Sequence, residues 1–357
     1  MMGTPNISRM KHEKYLNERA AKKFKYSRFY TQNLRSFLGN NWAMFYVILG
    51  GRMTGKSYAV TDFLCNQKKK YEENVKNYWL RISETSTKAM LANKANKLID
   101  PDLVRKYNLE LTTKAMDVYN HGKHFMTVCP LSAMAKLKGV AFYDKDFKGY
   151  MNIVLDEFQL EQGEKRTSFD ILYNFIGMIE NIARTNKSKI RIFIIGNTLE
   201  EASSILKAFN FLPQNFGRFY LKRKRCIIDN LEPTEEYLKD RYGSAADILG
   251  GGAMSNYTNE LKRDISLITN ERRLKYHAII KFGKERKDHF LIWNNNIITR
   301  YKGQAVNNVY AMKPYLDNQY HPDKKQYVID MFDAQAFKFD SLITLSYFQD
   351  YLQKIRK

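Results

Sequence analysis

The stretch Gly50-Gly51-Arg52-Met53-Thr54-Gly55-Lys56-Ser57 constrains this chain more than any other. It fits G-x-x-x-x-G-K-[ST], and its flanks have the order that such a loop needs. Met44 to Leu49 before it is apolar and reads as a strand, while Tyr58 to Leu64 after it reads as the first turns of a helix. The glycines let the backbone curl so that several N–H groups and the helix N-terminus converge on phosphate oxygens. Gly50, Gly51, Arg52, Met53, Thr54, Gly55, Lys56 and Ser57 are therefore the expected ATP-binding residues. Lys56 is placed to reach the β- and γ-phosphates, and the Ser57 hydroxyl to hold Mg²⁺.

A phosphate cradle alone binds; hydrolysis also needs a carboxylate on the metal side and a group that orients water. Ile153-Val154-Leu155-Asp156-Glu157 supplies both in sequence. The apolar strand brings Asp156 to the carboxyl edge of a sheet, as a second Mg²⁺-side group, and Glu157 is placed to polarise the attacking water. Arg191 to Ile195 reads as a further buried strand ending in Gly196-Asn197-Thr198. In ATPases with a strand inserted between the phosphate-loop and acidic strands, such a tip lies near the γ-phosphate. Asn197 is the expected sensor, supported by Thr198. Arg184 near the end of a long helix has two readings: a finger that enters a neighbouring subunit's site, or a cation that satisfies the helix C-terminus.

Lys and Arg total 59 against 37 Asp and Glu, a net charge of +22. A nucleotide ligand does not require that imbalance, and a polyanionic partner explains it. No apolar run approaches the length of a membrane span, and the N-terminus has no signal-like apolar core. Cys65, Cys129 and Cys226 are widely separated and suggest a reducing compartment, with neither a disulfide framework nor a zinc site. The expected location is cytoplasmic.

Residues 1–40 read as a basic, mostly helical leader. From about 41 to 205 strands and helices alternate, the pattern of a mainly parallel sheet flanked by helices: Tyr78–Ile82, His124–Cys129, Asn152–Asp156 and Ile190–Ile195 as strands, Thr87–Ile99 and Phe169–Thr185 as helices. Residues 206–260 are basic and turn-rich and read as a bridging segment. In 261–357, Tyr276–Phe282, His289–Trp293 and Ile297–Tyr301 read as an antiparallel meander closed by helices near 324–334 and 340–356.

The cradle with its basic residue Arg52, the Asp156-Glu157 pair, the Gly196-Asn197-Thr198 tip and the meander-bearing C-terminal region together resemble viral genome-packaging ATPases. The likeness is to the compact motors of small podophages of the Salasmaviridae type, distant relatives of large terminase subunits. It covers most of the chain and is weaker past about 205. The resemblance implies an ASCE-type P-loop domain followed by an RNase H-like, nuclease-derived domain. It implies a ring, taken as a pentamer, that docks at the portal of a viral prohead in the host cytoplasm and drives double-stranded DNA inward, with a structural RNA as a further candidate partner and no membrane. Lys56, Ser57, Asp156 and Glu157 match the phosphate, metal-side and catalytic positions. Arg184 falls where the family carries its trans-acting finger, Arg52 where it carries a basic cradle residue, and Asn197 at its coupling motif. Lys136 and Lys138 lie in a loop that resembles one facing the DNA channel, with Arg81 and Lys88 as weaker DNA candidates.

The chain departs from large terminases in its meander. Tyr276 to Phe282 supplies no carboxylate, and two-metal cleavage needs several. The expected C-terminal domain is therefore nuclease-like without the chemistry. Three alternatives stand beside this reading: a terminase with an active nuclease, a virion-assembly P-loop ATPase that does not act on double-stranded DNA, and a nucleotide-gated binding module without turnover.

Overall fold

A computed structural model of the chain describes residues 42–51, 53–134, 146–158, 170–184, 189–196, 204–213, 216–242, 248, 266–271, 273, 275–318 and 320–356. The leader, Arg52, Lys136, Lys138, Asn197 and Thr198 lie outside the described residues. The chain divides into two compact units, the second taking in 262–357.

The first unit is built on a nine-stranded sheet. In chain order its elements are β1 (Phe45–Leu49), α1 (Lys56–Tyr71), β2 (Val75–Arg81), α2 (Glu84–Ala95), α3 (Pro101–Tyr107), β3 (Leu111–Lys114), β4 (Asp117–Asn120), β5 (Lys123–Pro130), β6 (Tyr150–Asp156), α4 (Ile171–Ala183), β7 (Ile190–Gly196), α5 (Ser204–Phe209), β8 (Gly217–Leu221), β9 (Cys226–Asn230) and α6 (Glu235–Arg241). The strand order is β3-β4-β5-β2-β6-β7-β1-β9-β8. From β5 to β9 every neighbouring pair is parallel, and antiparallel β3, β4 and β8 finish the two ends.

Central parallel strands are covered on both faces, so they read as continuous apolar runs rather than alternating ones. Val47, Ile48 and Leu49 of β1, Ile153, Val154 and Leu155 of β6, and Ile192, Phe193 and Ile194 of β7 are fully buried. Their β-branched and aromatic side chains suit the pleated surface. On one face Trp79, Val154, Phe193 and Ile48 meet Leu64 and Val60 of α1. Tyr46 stacks on Phe193 with ring centroids 5.4 Å apart, fixing β1 beside β7.

The segment expected to bridge the domains differs from its reading. Gly217–Leu221 and Cys226–Asn230 form a hairpin that joins the sheet through β9 beside β1. Its strands are short and its turn is wholly basic, so periodicity conceals them; the burial of Phe219, Cys226, Ile227 and Ile228 drives their pairing. Arg218 and Asp229, directly opposite each other, form a buried two-point ion pair with Nε–Oδ1 at 2.6 Å and Nη2–Oδ2 at 2.7 Å.

The second unit holds a five-stranded sheet in the order β13-β10-β11-β12-β14. It comprises β10 (Tyr276–Lys281), β11 (His289–Trp293), β12 (Ile297–Arg300), β13 (Val309–Ala311), α7 (Pro322–Asp333), β14 (Lys338–Phe339) and α8 (Leu342–Arg356). The β10-β11-β12 meander is antiparallel, while β13 and β14 add on parallel to its two edges. Phe348 of α8 is the hub of its core, in ring contact with Phe282, Phe290, Phe332, Phe337 and Phe339.

Among the described residues no helix is long and apolar enough to cross a membrane. All three cysteines are free and buried.

Candidate functional site

Every parallel strand of the first unit points its C-terminal end to one edge of the sheet, and ligands of open α/β sheets bind there. β1 delivers the glycine loop to that edge, β6 delivers Asp156 and Glu157, and β7 lies between them. The separation of loop and acids by one strand agrees with the inserted-strand expectation.

The loop turns with two residues in the left-handed region, Met53 at φ 61° and Gly55 at φ 84°. Gly55 caps α1 without a side-chain bond, leaving the helix N-terminus open to an anion. Gly50 sits tightly against Leu231, since an added Cβ would stand 3.0 Å from Leu231 Cδ1 and the leucine would have to give way. Leu231 follows β9 and its N–H donates to Leu49 O at 2.8 Å, so β9 supports the base of the loop. Lys56 is buried, and its ammonium donates to Gly50 O at 2.9 Å, to Gly51 O, and to Thr54 Oγ1 at 3.3 Å. Thr54 Oγ1 in turn donates to Gly51 O at 2.9 Å. The cation is thereby held inside the curve of the loop.

Ser57 and Asp156 are 99 residues apart in sequence and meet across the edge, Ser57 Oγ to Asp156 Oδ1 at 3.5 Å. A hydroxyl and a carboxylate set side by side are hard oxygen donors suited to Mg²⁺. Asp156 is buried, and burial pushes its carboxyl above the ordinary range; Glu157 adds to the push, while Arg81 and Lys56 oppose it. Glu157 is different: its side chain is 57% exposed, and its backbone takes φ 53°, a strained region for a non-glycine residue. Its N–H donates to Ile195 O at 3.0 Å, which ties the strained residue to β7. Phe158 after it is buried against Gly196, where an added Cβ would overlap the ring. Gly196 O also accepts from Gly50 N–H at 3.2 Å, so one residue of β7 touches both halves of the site.

Arg81 is the principal surprise. Expected among the DNA contacts, it ends β2 beside β6 and its guanidinium bridges both acids, Nη1 to Asp156 Oδ2 at 2.9 Å and Nη2 to Glu157 Oε2. Only 12% of its side chain is exposed, and both of its terminal nitrogens are engaged by the acids. The register explains this: Leu80 pairs with Leu155, which puts Arg81 alongside Asp156. A strand-ending arginine was the available signal, but strand adjacency was needed to read it. Lys88 is exposed on α2, one turn and more beyond Arg81, and is in none of these contacts.

Arg184 does not join the site. β6 ends at the edge with the acids and β7 begins at the opposite edge, so α4 between them runs back across the sheet. Thirteen residues of helix span about 20 Å. Arg184 caps the far end, exposed, at φ 41°, with its N–H donating to Glu180 O at 3.1 Å.

No protein-family model matches the chain, and none of the curated proteins does. Among solved structures, a chain of the bacteriophage phi29 viral genome packaging motor assembly is similar over 92% of this chain and 100% of its own, with a TM-score of 0.63 and 19% identity. The phi28 gp11 DNA packaging motor is similar over 90% of this chain and 97% of its own, with a TM-score of 0.56 and 13% identity. At such identities the likeness is one of fold, and this chain has the fold of those two phage packaging-motor proteins.

Proposed function

We propose that this chain is an ATP-driven double-stranded DNA translocase that packages a viral genome into a preformed prohead through its portal, hydrolysing ATP at the subunit interfaces of a ring. The observation that carries the reading is the convergence of Lys56, Ser57, Asp156 and Glu157 at one sheet edge, from two strands with β7 between them. The glycine loop and the α1 N-terminus bind the triphosphate, with Arg52 as a further cradle cation. Lys56 exchanges its loop carbonyls for β- and γ-phosphate oxygens. Ser57 and Asp156 hold Mg²⁺, which when bound neutralises charge on those oxygens. Glu157, once released by Arg81, accepts a proton from the attacking water. Asn197 and Thr198, just past the end of β7, report the γ-phosphate.

Arg184 serves a neighbour. Its place at the far edge from its own acids supports a trans role, since a cis contact would have to cross the sheet. Tyr173, Ile176, Glu180 and Arg184 follow one another at helical spacing on the exposed side of α4, and Tyr173 and Ile176 are 62% and 51% exposed. An exposed apolar pair followed along the same face by Glu180 and Arg184 suits burial against a second subunit. The ring is taken as a pentamer, with the portal, the prohead and a structural RNA as its partners. Lys136, Lys138 and Lys88 are assigned to DNA.

The second unit is assigned as an RNase H-like domain that has lost its nuclease chemistry. β10 carries no carboxylate, and Asp288, at the turn before β11, accepts from the Tyr351 hydroxyl at 2.6 Å. Two-metal cleavage needs clustered free acids.

The test is steady-state ATPase with and without long double-stranded DNA, beside a Mg²⁺/Mn²⁺ cleavage assay on the same plasmid. The expected result is turnover stimulated by DNA, abolished in Lys56→Ala, with intact plasmid. Turnover indifferent to DNA would sink the translocase reading, and cleavage that persists in Lys56→Ala would sink the reading of the second unit.

A further inference from the structure

The turn of the β8–β9 hairpin reads Lys222-Arg223-Lys224-Arg225, and all four residues are exposed. Among the described residues none of the four forms an ion pair with a carboxylate. The hairpin's one acid, Asp229, is neutralised internally, since it is bound to Arg218 and both side chains are nearly fully buried. Four adjacent like charges repel one another, and the two carbonyl contacts that Lys224 and Arg225 make do not neutralise them, so their presence asks for an external anion.

The nucleotide of the same chain cannot be that anion. β9 runs parallel to β1, so its first residue lies at the edge opposite the glycine loop. Five residues of strand put about 17 Å between the turn and the loop's base. The turn is nevertheless rigidly built. Arg225 O accepts from Met44 N–H at 2.8 Å and from Phe45 N–H at 2.9 Å, which fastens the turn to the start of β1. Arg225 Nε donates to Trp42 O at 3.2 Å and Lys224 Nζ to Ala208 O at 3.3 Å. Trp42 and Tyr220 pack as a ring pair with centroids 6.3 Å apart beneath it. The buried Arg218–Asp229 pair pins the register of the two strands, and an ion pair of this kind selects one pairing even where its net stabilisation is small.

We propose that this turn is a grip on the phosphodiester backbone of duplex DNA, separate from the nucleotide edge. The proposal rests on the translocase reading for its choice of ligand. Duplex DNA presents a phosphate about every 1.7 Å along its axis, so neighbouring cations on one fixed turn meet neighbouring phosphates, whatever the base sequence. A rigid hairpin holds the lysine and arginine stems near their bound positions, which lowers the ordering entropy that binding must overcome.

The experiment is equilibrium binding of full-length protein to a fluorescent duplex of about 30 base pairs across a salt series, a probe length that exceeds a typical contact footprint. It compares wild type, the triple variant Lys222→Ala/Arg223→Ala/Lys224→Ala, and a charge-matched control, Lys97→Ala/Lys114→Ala/Lys123→Ala, whose exposed lysines lie toward the other end of the sheet. Each lost phosphate contact should make the log–log salt slope shallower by about 0.9, so the triple variant should lose about 2 to 3 units while the control keeps the wild-type slope. Affinity should fall on the order of 100-fold at about 0.1 M salt. Binding of a fluorescent ATP analogue should be unchanged; if the triple variant fails this check, Arg223→Ala alone decides, with an expected change of about 0.9. A wild type that binds with a slope the hairpin variants leave unaltered overturns this site alone, as does a control that loses as much as the triple. A wild type that binds no duplex overturns the translocase reading as well.

Discussion

The Arg81 guanidinium holds Asp156 and Glu157 together, bonding Asp156 Oδ2 at 2.9 Å and Glu157 Oε2 with its other terminal nitrogen. Asp156 is buried and Glu157 mostly exposed, so one cation bridges the metal-side acid and the proposed base. Paired in this way, the Glu157 carboxylate points at the cation rather than at water.

Arg81→Gln should therefore raise ATP turnover in the absence of DNA and shrink the ratio of stimulated to basal rate. It should also lower the Mg²⁺ concentration for half-maximal activity, because the guanidinium and the metal compete for Asp156. Phosphate release with and without DNA, across a Mg²⁺ titration, measures both. A basal rate that falls together with the stimulated rate would mean that Arg81 supports the base instead of restraining it.

Gly196→Ala tests how finely Glu157 is placed. The new methyl overlaps the Phe158 ring, which is buried and cannot swing into solvent. Either Phe158 moves, carrying the adjacent Glu157, or β7 separates from the loop that its carbonyl accepts from. A misplacement of about 1 Å costs on the order of 100-fold in rate. We expect that loss in kcat, with ATP-analogue affinity nearly kept if Phe158 moves and weakened in step if β7 does. Wild-type turnover would show that the strained Glu157 backbone is not part of the mechanism.

How much of this was legible in the sequence divides by distance. The loop, its strand and its helix lie within one local motif, so spacing alone placed Lys56 and Ser57, and the apolar run before Asp156 placed the acid. The bridge from Arg81 to those acids depends on β2 lying next to β6, a pairing across 75 residues that no local pattern encodes. The β8–β9 hairpin was missed for a different reason: five-residue strands around a basic turn resemble a linker until β1 supplies a partner edge. The sequence pattern puts Arg184 near the end of a long helix, but only the crossing of α4 from one sheet edge to the other gives the edge it occupies.

That crossing makes a mixing experiment decisive. Arg184→Ala and Lys56→Ala proteins should each be inactive, with losses on the order of 1000-fold or more. Mixed in equal amounts, they should regain activity, because an intact cradle in the first meets an intact finger from the second. Random assembly makes about a quarter of interfaces complete in a cyclic ring. DNA-stimulated ATPase across mixing ratios, peaking near equal amounts, is the expected signature. A flat line at the level of the parents would place the arginine's role within its own subunit.

Asp156→Asn should separate stability from activity. The carboxyl is buried, and burial lifts its pKa above that of an unfolded aspartate, Glu157 adding to the lift and Arg81 and Lys56 opposing it. The folded protein therefore binds the proton more tightly than the unfolded chain, and wild-type stability falls as pH rises from about 4 through the raised folded value. Asparagine has no such ionisation, so the variant should be the more stable protein at neutral pH, with the gap closing toward acid pH. Urea unfolding of nucleotide-free protein in chelator, repeated across pH, measures the gap, while ATPase of the variant should be lost with the metal-side carboxylate. A wild type that gains on the variant as pH rises would mean that the Arg81 ion pair outweighs burial, and that the acid is held ionised in the fold before any metal arrives.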